Sequence, residues 1–96
     1  MYYPILTQGL KEVIAEEYPD AKPVFKDVDT ITDDFEMICY LLWMLDELQK
    51  FRLDNPARRG RWIGYVQGRL EALGVLTNKR NRELTSPDVK IYLNPV

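Results

Sequence analysis

Histidine is absent from this chain of 96 residues, and cysteine occurs once, at position 39. The first absence removes the commonest general base together with the commonest metal ligand. The second rules out an intrachain disulfide and a thiolate zinc site, which needs several sulfur ligands. Cys39 lies in the apolar run Met37-Ile38-Cys39-Tyr40-Leu41-Leu42-Trp43-Met44-Leu45. A thiol in such a setting reads as core rather than nucleophile, and fits a reducing, cytoplasmic environment. The run is well short of the about 20 residues that a membrane span needs. Nor does Met1-Tyr2-Tyr3-Pro4 carry the basic residues and long apolar stretch of a signal peptide. Nucleophile-elbow and phosphate-cradling glycine motifs are both missing. Asp27, Asp29, Asp33 and Asp34 resemble the start of a calcium loop. Counted from Asp27, however, position six is Thr32 rather than glycine and position twelve is Ile38 rather than glutamate. Helix capping accounts for these acids instead. The expectation is therefore a protein that is not an enzyme, with no metal and no cofactor.

What is present is an ordinary globular balance, 46% hydrophobic and 29% charged, which suits one domain over residues 1–96. Net charge is only −2, but it is unevenly spread. Residues 1–50 carry four Lys/Arg against eleven Asp/Glu, a balance of −7, while residues 51–96 carry nine against four, a balance of +5. Two solvated faces of opposite sign would explain this, as would an electrostatic partner or attraction between the halves.

The periodicities predict a mainly α chain, a compact domain of three helices with a short C-terminal β element. Pro4 favours a first helical turn, and Ile5, Leu6, Leu10, Val13, Ile14 and Tyr18 repeat as one apolar face until Pro19. A proline-containing connector follows over 19–29. The second helix is expected from Thr30 or Thr32, whose hydroxyls can cap it, to about Phe51, as the buried centre of the fold. Asp54-Asn55-Pro56, a capping side chain followed by proline, predicts the start of a third helix over 56–73, and Gly74 its left-handed cap. Val75-Leu76-Thr77 and Val89-Lys90-Ile91-Tyr92-Leu93 read as short strands flanking a basic loop at 79–82.

Three of the five glycines, Gly60, Gly64 and Gly68, fall four residues apart inside the third helix. Each costs a helix about 1 kcal/mol relative to alanine. On a helical wheel Trp62, Ile63, Val66, Leu70 and Leu73 fill an arc about 100° wide, the glycines an arc about 80° wide roughly opposite. Arg58, Arg61, Tyr65 and Arg69 lie between the two. A bare backbone face admits close approach of another element. That element is either another segment of this chain, packed as core, or a partner protein, a second copy included. The candidate partner-binding residues are Arg58, Gly60, Arg61, Gly64, Gln67, Gly68 and Arg69. Guanidinium groups also suit phosphate, so Arg58, Arg59, Arg61, Lys79, Arg80 and Arg82 form an alternative, DNA-binding set.

Two resemblances bear on this. Arg69-Leu70-Glu71-Ala72-Leu73-Gly74-Val75-Leu76, then Lys79-Arg80-Asn81-Arg82, then Val89-Lys90-Ile91-Tyr92-Leu93 resemble the recognition-helix end, basic wing and strand of a winged-helix domain. That resemblance implies major-groove contacts by Arg58, Arg59 and Arg61, and a wing carrying Lys79, Arg80 and Arg82. The glycine stripe and the long apolar second helix depart from it. Arg61-Trp62-Ile63-Gly64-Tyr65-Val66-Gln67-Gly68-Arg69-Leu70 is also similar to a segment of small, mostly uncharacterised helical proteins encoded by bacteriophages and prophages. That likeness covers residues 35–76 and implies a small accessory or host-modulating protein in a bacterial cytoplasm, with no catalytic residues. Within this reading Gln67, between the turns of two glycines, is the polar residue to test first. The leading expectation is a non-enzymatic protein-interaction module, and the alternative a winged-helix-like DNA binder.

Overall fold

The computed structural model describes residues 3–50 and 55–93. Four helices follow one another: α1 (Pro4–Glu17), α2 (Asp34–Lys50), α3 (Pro56–Ala72) and α4 (Asn78–Leu93), with one 3-10 turn at Val28–Thr30 in the connector. The chain is mainly helical as expected, but no strand occurs among the described residues, and a fourth helix replaces the expected β element.

Local chemistry explains most of the boundaries. α1 opens at Pro4 without a side-chain cap of its own. Its first free N–H groups are satisfied from far away: Ile5 N donates to Asp88 Oδ1 at 3.2 Å and Leu6 N to Asp88 Oδ2 at 2.7 Å. Asp88 is 3% exposed, so a buried carboxylate of α4 takes the place of an N-cap. α2 starts later than either threonine would place it. Asp33 accepts from Glu36 N at 2.8 Å and is the cap, while Glu36 Oε2 reaches back to Thr32 N at 2.8 Å. The predicted end at Phe51 lies outside the described residues. α3 begins as its sequence predicts, with Asn55 accepting from Ala57 N and Arg58 N ahead of Pro56. It stops at Gly74, whose φ of 75° lets Gly74 N reach Glu71 O and Val75 N reach Leu70 O, both at 3.0 Å.

The segment read as a strand at 75–77 is a junction between helices. Thr77 Oγ1 accepts from Arg80 N at 3.1 Å and caps α4. The alternation at 89–93 is only five residues long, too short to separate a strand period from a helical one. Pro87, inside α4, cannot donate to the carbonyl one turn earlier; a proline there reads in sequence as a break.

The helices pack in the order α4, α1, α2, α3. Their shared core is Leu6, Leu10, Val13 and Ile14 of α1, seven apolar residues of α2 from Met37 to Leu48, Ile63, Val66 and Leu70 of α3, and Leu76. α2 contributes the largest share and is the buried centre, while Ile5, expected on the apolar face of α1, is exposed. α1 and α4 meet closely at Gly9, against which Leu84 packs. α3 lies at the edge of this arrangement. It buries one face on α2 and leaves another without a covering helix.

Candidate functional site

The exposed side of α3 is nearly bare of side chains. Gly60, Gly64 and Gly68 are all exposed, and a Cβ built on any of them meets nothing within 4 Å among the described residues. No described element therefore packs on the stripe, which leaves the internal-packing account without support among the described residues. Ala57 and Ala72, also exposed, extend this smooth surface towards both ends of the helix.

Its two margins differ. On one margin, Gln67 Nε2 donates to Asn81 Oδ1 at 2.6 Å and to Thr85 Oγ1 at 3.2 Å, and Asn81 Nδ2 donates to Glu71 Oε1 at 3.0 Å. This ladder pins α3 to the first half of α4. Gln67, a candidate contact residue by sequence, thus spends its amide within the chain. The signal for its partners lies in sequence spacing: Gln67 and Glu71 are one turn apart on α3, as are Asn81 and Thr85 on α4.

The other margin is aromatic and cationic. The Arg58 guanidinium lies over the Trp62 ring, 5.7 Å from its centroid, and that of Arg69 over Tyr65 at 5.4 Å. Arg69 Nε also donates to Tyr65 Oη at 3.2 Å. Trp62 is half-buried rather than core, and continues into rings from other elements. Trp43 lies 6.0 Å from Trp62, 5.8 Å from Tyr40 and 4.8 Å from Phe25. Phe25 is 64% exposed. Burial holds the Tyr40 phenol above its usual pKa, and the neighbouring Tyr65 and Asp27 add to the effect. Sequence reasoning placed Trp43 within an apolar run and missed this cluster. The matching i, i+3 pairs Tyr40/Trp43 and Trp62/Tyr65 on adjacent helices were its sequence signature.

One member of the alternative, DNA-binding set is not at the surface. Arg59 is only 5% exposed, and its Nη1 donates to Leu48 O at the C-terminal end of α2. A guanidinium there meets the negative end of a helix dipole. At about 100° per residue Arg59 falls between Val66 and Leu70, in the middle of the apolar arc. Lys79, Arg80 and Arg82 are exposed but belong to the first turns of α4, not to a loop between strands. Arg80 lies near Glu16 of α1, at 3.8 Å. The acidic connector is likewise spent on local structure. Asp27 accepts from Asp29 N, and Asp33 caps α2. The Lys26 ammonium and then the Thr32 N–H hold the Glu36 carboxyl below its usual pKa.

Among the described residues, no cluster of His, Cys, Asp or Glu side chains is arranged to hold a metal ion. None of the described helices is long and apolar enough to cross a membrane. No family model, curated protein or solved structure matches this chain.

Proposed function

We propose that this protein is a non-enzymatic interaction module that docks another protein on the outer face of α3. The observation that carries the reading is the open space over Gly60, Gly64 and Gly68. Three glycines in one helix cost about 2–3 kcal/mol relative to alanine, and nothing among the described residues occupies the room they leave. A partner helix can approach such a face to backbone contact, as small-residue helix pairs do. Arg58, Arg61 and Arg69 line its edge with Trp62 and Tyr65. Arginine, tryptophan and tyrosine are the residues that dominate binding energy at protein interfaces. A phage-encoded accessory role in a bacterial host's cytoplasm is the setting that the likeness of residues 35–76 supports. The DNA-binding alternative is weakened by the burial of Arg59 and the helical state of 79–82.

The test is Gly64→Leu. The side chain enters open space, so the variant is expected to melt no lower than wild type by circular dichroism. It is expected to lose the partners that wild type captures from bacterial lysate. Retention of the same catch would remove α3 as the docking face.

A further inference from the structure

The arginine margin narrows what the partner must carry. Ion pairs among the described residues use Lys11, Lys26, Lys50 and Arg80 as their cations. Arg58, Arg61 and Arg69 are exposed, and no carboxylate of the described chain pairs with any of them. Two of the three are also held in place. A guanidinium lying over a ring keeps its in-plane N–H groups free to point outward, and a partner that meets it finds part of the side-chain ordering already done. Arg58 and Arg69 lie about 16 Å apart along the helix axis, on the same side, with Arg61 between them beside the glycines. The result is a row of bidentate donors at the edge of a smooth face.

Building on the docking role assigned to α3, we propose that its partner is an acidic helical segment of another protein, whose Asp or Glu carboxylates pair with Arg58, Arg61 and Arg69. Paired guanidinium and carboxylate groups form the strongest of the charge-assisted hydrogen bonds open to such a surface. A nucleic acid fits less well for two reasons. Base stacking needs a free ring face, which of this row only Phe25, at its far end from α3, offers broadly: Trp43 is surrounded by Phe25, Tyr40 and Trp62, and Trp62 and Tyr65 lie under arginines. In addition, Arg69 borders a cleft that also holds Asp33 and Asp34. A uniformly charged phosphate chain running past Arg69 meets those carboxylates, while a peptide can place its charges opposite the arginines alone.

The experiment uses two fluorescein-labelled alanine–leucine peptides of about 20 residues, long enough for a helix of about 30 Å. One carries glutamate at every fourth position, the other glutamine at the same positions. Anisotropy titrations are run on the full chain, with labelled single-stranded and duplex DNA in parallel. The glutamate peptide is expected to bind about tenfold or more tightly than the glutamine peptide at ~20 mM salt, with the difference shrinking towards ~0.5 M as screening grows. Replacing Arg58, Arg61 and Arg69 together by glutamine is expected to erase the difference while leaving the melting curve in place. Equal affinity for the two peptides would overturn the acidic preference yet leave α3 as a docking face, which Gly64→Leu judges separately. Failure of both peptides to bind up to ~1 mM, or a preference that survives the glutamine substitutions, would also overturn it. Tighter binding of either DNA would reassign the row to phosphate. A dimer in sedimentation that the same substitutions dissolve would reassign it to a second copy.

Discussion

A methyl group added at Gly9 of α1 would sit 2.9 Å from Cδ2 of Leu84, whereas one added at Gly64 of α3 would meet nothing within 4 Å among the described residues. Both residues lie in amphipathic helices, and both carry the entropic cost of glycine, about 0.5–1 kcal/mol. On α1 the missing side chain is matched by a neighbour: Leu84 fills the gap and brings α4 against the core. On α3 the same economy of atoms recurs at three positions with no such match. A glycine that tertiary packing explains and one that it leaves unexplained thus look alike in sequence, and only the neighbouring element separates them. The contrast is what turns α3 from a poor helix into a surface.

The comparison can be broken most forcefully from the α1 side. Gly9→Val is expected to destabilise the fold by about 2–3 kcal/mol through overpacking, read as a lower urea midpoint. Adding Leu84→Ala should recover part of that loss in a double-mutant cycle; independent effects would mean that the two helices do not meet there. On α3 the sign reverses. Replacing Gly60, Gly64 and Gly68 together by alanine should raise stability by about 2 kcal/mol and the melting temperature by roughly 10 °C. A lower melting temperature would show that something in the chain faces the stripe after all.

Smaller effects sharpen the picture of what holds α4 on α1. Asp88→Ala removes the acceptor for Ile5 N and Leu6 N and should cost about 1–2 kcal/mol, more than the roughly 1 kcal/mol expected for the exposed cap Asp33→Ala. Equal losses at the two sites would deny the buried cap its special weight. The smallest effect is electrostatic. The Lys11 hydrogen bond, helped by Lys50, holds the Asp46 carboxyl below its usual pKa and ties α1 to α2. Because its pKa is depressed in the folded state, this contribution is present above the ordinary aspartate value near 4 and is lost as pH falls through the folded value. Asp46→Asn should therefore lower stability at pH 7 by no more than about 1 kcal/mol, and should converge with wild type in acid.

Much of the fold was legible because its signals are local. Asn55-Pro56 and Gly74 mark α3 by chemistry within a turn, and the apolar spacing of α1 and α2 identifies the residues they bury. α4 was not legible for the opposite reason. Its cap is Thr77, which a β-prone triplet disguises, and Pro87 interrupts its middle. What fixes it is distant: Leu84 on Gly9, Asp88 on the start of α1, and the Gln67–Asn81–Thr85 ladder. The candidate surface divides in the same way. The wheel separated the glycine and arginine arcs correctly, because they depend on one helix alone. It could not show that the glycines lie open, that Gln67 turns towards α4, or that Phe25 and Trp43 extend the aromatic row, since each of these depends on a second element.

Asp88 also sets the order in which this chain can be finished. The loop closed by its contact with Ile5 spans 83 residues, so α1 is completed only once α4 has been made. Before α4 is made, neither the Asp88 acceptor for Ile5 N and Leu6 N nor the Leu84 side chain opposite Gly9 is available. Long-range closures of this kind slow folding, because chain entropy is lost before the contact compensates for it. For the interval between the synthesis of α1 and of α4, α1 lacks these partners, and two helices far apart in sequence complete each other.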